Sequence, residues 1–203
     1  FTRRDWLRLA GASFGAAACH GLLRGADAAF IHERRARTLG YIDSMRCKDG
    51  AYGRYRYAAQ MPEPTLYSSS YAAMTRSLYR DIEALTRTQR EEWVAYFQSH
   101  QDDDGLFRDP RIFGEGWYRD DPEWCGRRHL SCHVVTALTC LGAVAARPMR
   151  HLEPFYDEVR LTTWLEARDW SKADFAGNEV LNIGTLLQYA RDFQKENRAA
   201  GAV

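Results

Sequence analysis

The stretch Tyr96-Phe-Gln-Ser-His-Gln-Asp-Asp-Asp-Gly-Leu-Phe107 decides how this chain is read. It spells the end of a helix, a sharp turn and an aromatic that folds back. The preceding helix opens at Thr88, with Glu91 three residues on in a capping-box pattern. Asp104-Gly105 supplies the turn, because glycine reaches positive φ without steric cost. The same pattern stands earlier as Tyr41-Ile-Asp-Ser-Met-Arg-Cys-Lys-Asp-Gly-Ala-Tyr52. Aligned without a gap, Tyr41 matches Tyr96, Ser44 matches Ser99, Asp49-Gly50 matches Asp104-Gly105, and Tyr52 matches Phe107. A weaker third copy starts at Trp164 and lacks the Asp-Gly pair. Repetition of this kind means units that bury their apolar faces on one another. The plainer alternative is two helices that share an Asp-Gly ending.

Working outward, hydrophobic spacing predicts a helix over 30–45, with Ile31, Leu39, Ile42 and Met45 on one face. A second covers 66–85, with Tyr67, Tyr71, Met74, Leu78, Ile82 and Leu85 as its apolar stripe. Further helices are expected over 86–100, 130–146, 154–167 and 178–193, the fifth using Phe155, Val159 and Trp164. The connection 101–128, with its Pro and Gly residues and Phe113, Trp117, Tyr118 and Trp124 between them, is long enough to be functional or folded on itself. The sum is an all-α chain of six helices in three hairpins, without a strand. The second and fourth helices are alike, Ser69-Ser-Tyr-Ala-Ala aligning with Ser131-Cys-His-Val-Val.

Residues 2–8, Thr-Arg-Arg-Asp-Trp-Leu-Arg, closely resemble the twin-arginine export signal. Trp6 stands where Phe is usual and Arg8 where Lys is usual. A mildly apolar Ala/Gly stretch follows, and Ala26-Asp27-Ala28 offers a small-x-small cleavage site that would leave Ala29 first. Ala16-Ala-Ala-Cys19 is a weaker match to a lipoprotein site. The resemblance implies a signal over 1–28, a domain over 29–203, periplasmic or secreted residence, and no membrane attachment once the signal is removed. Four Arg and two Asp lie in residues 1–28, so cleavage takes the formal charge from +1 to −1. A near-neutral chain with only Lys48, Lys172 and Lys195 as lysines excludes a general attraction to nucleic acid or anionic membrane. Export permits disulfides, and Cys125 with Cys132 is the one near pair; four reduced thiols are the preferred alternative. Cys132 and Cys140 stand about 12 Å apart along one helix, too far to bridge.

The stretch 96–107, with Gln101-Asp-Asp-Asp-Gly105 and then Phe107, resembles the Gln…Gly-x-aromatic repeat of the terpenoid cyclase and protein prenyltransferase superfamily. Arg46 replaces the Gln in the first copy, and Tyr52 and Phe107 replace the repeat's Trp. That resemblance implies an α/α toroid in which inner helices ring a cavity and outer helices wrap them. A full toroid needs about twice the helices present. The expectation is a chain that continues beyond Val203, or else an oligomer in which a partner covers the open edges of a half-ring.

On the toroid reading the inner helices are the second, fourth and sixth, with their N-terminal ends at the cavity mouth. This points to Tyr67, Ser70 and Tyr71, to Arg128, His129 and His133, and to Glu179 and Asn182. His129 and His133, four apart, share one helix face. A Tyr, His and Arg set suits proton abstraction beside a uronic carboxylate, with Arg holding the acid and His or Tyr moving the proton. The alternative for His133 and Tyr71 is hydrogen-bonded packing between helices. Trp117 and Trp124 are candidates to stack sugars. Cys125, His129, Cys132 and His133 offer zinc-type donors, but the spacing is not a recognised finger. Asp102-Asp-Asp104 is read as a solvated turn; the lesser readings are a calcium site with Asp109 or Asp120 and Asp121, and the acidic cluster of squalene–hopene cyclases. No cofactor is expected. The leading functional expectation is an exported enzyme acting on a glycan, lyase- or glycosidase-like rather than an isoprenoid cyclase. The alternative is a non-catalytic repeat protein that binds a partner or cell-envelope ligand.

Overall fold

The computed structural model describes residues 25–113 and 120–201. The export signal proposed over 1–28 falls almost wholly outside them, and Trp117 does too. Among the described residues there are seven α-helices and no strand, so the chain is all-α. They are α1 (Gly25–Met45), α2 (Leu66–Leu78), α3 (Arg87–Gln98), α4 (Pro110–Phe113), α5 (Arg127–Cys140), α6 (Glu158–Glu166) and α7 (Ala173–Asp192). Short 3-10 turns stand at Asp81–Ala84, Arg150–Tyr156, Trp170–Lys172 and Asn197–Gly201. The chain divides into two compact units, one up to Ser44 and one from Met45. In the first, Leu39 and Ile42 are buried but Ile31 is exposed. Everything below concerns the second.

In that unit α2 packs on α5, and α5 packs on α7. The helix α2 starts where Thr65 and Ser68 cap each other reciprocally, Oγ1 accepting from the Ser68 N–H at 3.2 Å and Ser68 Oγ accepting from the Thr65 N–H at 3.3 Å. It stops earlier than expected, at Leu78, because Arg80 turns the chain through the left-handed region (φ 55°) and Arg76 pairs with Asp81 beyond the turn. The buried face also differs from the predicted stripe. Ser69, Ser70, Ala72 and Ala73 are buried, while Tyr71 is 42% and Leu78 77% exposed. Small side chains let α2 approach α5 closely, and the rings are left on the open side. Similarly, the expected Val159 is 75% exposed and α6 buries none of its residues. The N-cap of α3 is Thr86 with Gln89, two residues before the Thr88–Glu91 pair expected from sequence.

The two Asp-Gly stretches show which part of the repeat is physical. After α3, Asp102 N–H donates to Leu106 O, Arg108 N–H to His100 O, and Phe107 N–H to Ser131 Oγ on α5 at 2.8 Å. After α1, Cys47 N–H donates to Arg54 O, Arg56 N–H to Met45 O, and Tyr55 N–H to Ser69 Oγ on α2 at 3.0 Å. The equivalent of Gly105-Leu-Phe107 is therefore Gly53-Arg-Tyr55, not Gly50-Ala-Tyr52, and the first turn carries three extra residues. Gly53 and Gly105 have φ of 95° and 90°. A Cβ would meet the Trp93 ring at 2.1 Å in one case and Pro148 O at 2.3 Å in the other, so both positions require glycine. Tyr55 and Phe107 are fully buried with Trp93 and Phe97. Each such side chain contributes about 1.5–3 kcal/mol by leaving water. The weaker third copy shows no equivalent bridge among the described residues; the chain there runs into the turn at Trp170–Lys172.

Candidate functional site

The spacing of four residues on α2 brings Tyr67 over Tyr71, and the same spacing on α5 brings His129 over His133. Because the two helices pack together, the four rings meet. Tyr67 and Tyr71 stack with centroids 6.1 Å apart, and His129 and His133 meet edge to face at 4.6 Å. Across the helix pair, His133 lies 5.4 Å from Tyr67 and 5.2 Å from Tyr71. The Tyr67 hydroxyl stands 2.8 Å from His129 Nδ1. With His129 neutral, one proton is shared across this contact: in one tautomer the Tyr67 hydroxyl donates to Nδ1, in the other Nδ1–H donates to the Tyr67 oxygen.

Both imidazoles are held neutral. Burial pushes His133 down to about 4, assisted by His129, and burial also lowers His129. Burial, and then Tyr57, raises Tyr71. The result is an uncharged cluster with one proton-sharing pair, open to solvent on the Tyr71 side.

The other residues singled out from sequence lie elsewhere. Arg128 directly precedes His129 but does not share its surroundings. Its Nε donates to His151 Nε2 at 2.8 Å, its Nη1 pairs with Glu123 at 3.2 Å, and its guanidinium lies 5.8 Å from the Phe155 ring. A guanidinium only donates, so this bond fixes His151 Nε2 as an acceptor. Asn182 is buried and holds the loop before α5, its Nδ2 donating to Glu123 O at 3.3 Å and Trp124 O at 3.2 Å. Trp124 meets Phe175 edge to face at 4.8 Å. Tyr67, Tyr71, His129 and His133 thus come together; Arg128, Trp124 and Asn182 serve the neighbouring loop.

The acidic run is engaged by arginine. Arg127 Nη1 donates to Asp102 at 2.7 Å, Nη2 to Asp104 at 2.7 Å and Nε to Asp121 at 3.0 Å. Arg108 adds a second bond to Asp102 at 2.9 Å. Burial acts to raise Asp104, but Arg127 and the Leu106 N–H outweigh it and hold the carboxyl below its usual value. Asp109 also has a structural task, its Oδ2 accepting from the Leu66 N–H at 2.7 Å and its Oδ1 from the Arg111 N–H at 3.0 Å. Sequence reading missed Arg127, and it gave Asp109 only as a candidate calcium ligand. For Arg127 the signal was an arginine pair, Arg127-Arg128, just after the acidic run 120–123.

The zinc-type donors do not converge. Burial pushes the Cys132 thiol up to about 12, and its S–H donates to Asn182 O at 3.4 Å. Among the described residues no three His, Cys, Asp or Glu side chains form a group that could hold a metal. Among the described residues no disulfide forms, and Cys47, Cys132 and Cys140 are free thiols. No described helix is long and apolar enough to cross a membrane. Comparison with known proteins returns no matching family model, no matching curated protein and no matching solved structure.

Proposed function

We propose that this chain is an exported domain of α/α-toroid type whose Tyr67, Tyr71, His129 and His133 face acts on a glycan. The observation that carries the reading is the 2.8 Å contact between the Tyr67 hydroxyl and His129 Nδ1 on a partly open aromatic face. Tyrosine rings give a sugar an apolar surface to lie on. In the tautomer in which Tyr67 donates, its oxygen takes the proton beside a uronic carboxylate as His129 Nδ1 takes the phenolic proton; the C–O bond β to the carboxylate breaks, a C=C bond forms, and the departing oxygen takes the proton back from the pair. His133 and Tyr71 wall the pair and keep water from its inner side. Three features support the toroid arrangement: the equivalent Gly53 and Gly105 turns, their shared bonds to Ser69 and Ser131, and the packing row α2, α5, α7. The twin-arginine resemblance of residues 2–8 supports export to the periplasm or beyond. The carboxylate-holding role first assigned to Arg128 is withdrawn, because His151, Glu123 and Phe155 occupy it.

The test is turnover of uronic and neutral glycans by the purified chain and its His129→Gln variant. Loss of turnover with unchanged helical circular dichroism supports the pair. Retained turnover in the variant refutes it. A second reading, a non-catalytic domain that binds a cell-envelope ligand, is favoured by the engagement of Arg128 away from the cluster. Under that reading glycan binding is measurable and turnover is absent in the parent protein.

A further inference from the structure

A second candidate site shares no lining residue with the ring cluster. A cleft of about 570 Å³ is lined by Glu92 and Tyr96 on α3 and by His100 in the turn that follows it. Its other wall comes from the two turn regions, with Arg54 and Glu63 from the first and Arg111 from the second.

The charges in this cleft are unevenly engaged. Asp109, at its floor, has both oxygens bonded to backbone N–H groups. Glu92 accepts from the Tyr52 N–H at 2.7 Å, and Glu63 pairs with Arg111 at 3.3 Å. Arg54 differs. Its guanidinium donates to Asp49 O at 3.1 Å and forms no ion pair among the described residues. The group is half-buried and held in place, because Gly50 leaves the room it fills: a Cβ there would lie 2.3 Å from Arg54 Nη1. His100 adds an oriented acceptor. Its Nδ1 lies 2.9 Å from Tyr96 O; a carbonyl only accepts, so the neutral ring carries its proton on Nδ1 and leaves Nε2 as the acceptor.

We propose that this cleft binds a small carboxylate-bearing ligand of the hydroxy-acid or sugar-acid class. The carboxylate sits on Arg54, the group with planar paired donors, and a ligand hydroxyl donates to His100 Nε2. The Tyr96 and His100 rings form the apolar wall. This assignment is independent of the ring cluster.

The test is calorimetric titration of the intact chain with D-glucuronate, D-glucose and inorganic phosphate. Saturable glucuronate binding without glucose or phosphate binding is expected. Arg54→Gln should weaken it about tenfold or more, as expected for a charge-assisted hydrogen bond. Gly50→Ala, which displaces the guanidinium without removing it, should weaken it in the same direction, and Leu78→Ser, at an exposed position outside both sites, should leave it unchanged. Equal binding of glucose, preferential binding of phosphate, absence of glucuronate binding, or undiminished affinity in a folded Arg54→Gln variant would each overturn the assignment.

Discussion

Arg127, Arg128 and His129 are consecutive, yet they serve two different regions. The first two residues face a network in which Asp102, Asp104, Asp121, Glu123 and His151 all find partners. His129, one step further round the helix, faces Tyr67 and His133 in an uncharged cluster. About 100° of rotation per residue separates the two environments. In the charged region the side chains pin the loop ahead of α5. In the neutral region burial keeps both imidazoles uncharged at a partly open surface. The charged side chains of this domain hold structure, and the proposed chemistry falls to the neutral groups.

Breaking the charged region should have the largest effect on stability. Arg127→Ala removes the shared partner of Asp102, Asp104 and Asp121, leaving Arg108 on Asp102, and should cost about 2–3 kcal/mol, at the low end for a buried pair because the carboxylates meet solvent. Denaturant unfolding measures it, and ligand binding at the ring cluster should survive in the folded fraction. Acid should strain both regions together. His129, His133 and His151 have folded values below the ordinary 6.5, so the unfolded chain binds more protons. Their contribution is complete above about 6.5 and is lost as pH falls toward about 4, where His133 titrates in the fold. The expected loss is roughly 1–2 kcal/mol in total, since solvent reaches part of each ring. A melting temperature that rises as pH drops through this window would contradict the assignment.

Smaller effects sharpen the contrast. Tyr67→Phe should cost only about 0.5–1.5 kcal/mol, the net worth of one hydrogen bond, although it removes the proposed proton carrier. Leu78→Ser, on the open face of α2 and 77% exposed, should change stability by no more than about 0.5 kcal/mol. A large loss there would mean that the open face is covered in solution.

Much of this was legible in the sequence. The spacing of Tyr67 with Tyr71 and of His129 with His133, and the likeness of Ser69-Ser-Tyr to Ser131-Cys-His, were enough to bring the four rings together. Arg128 was misplaced because adjacency in sequence says nothing about which way neighbouring helical side chains turn. The stripe on α2 was misread because hydropathy cannot tell a close approach through Ser and Ala from one through Tyr and Leu. The gapless repeat alignment was drawn to Asp49-Gly50, a real turn with φ 90°, whereas the bond from Tyr55 N–H to Ser69 identifies Gly53 as the equivalent glycine. Only the partner across the fold separates those two glycines.

The central claim is that the Tyr67–His129 pair moves a proton at a bound glycan. The direct measurement is kcat and KM for glycan turnover by the parent chain and by Tyr67→Phe. The account predicts a kcat lower by about a hundredfold or more, with KM nearly unchanged and the fold intact, as for loss of a general acid–base group. An unchanged kcat, or a raised KM alone, would contradict it and leave the cluster as a binding surface.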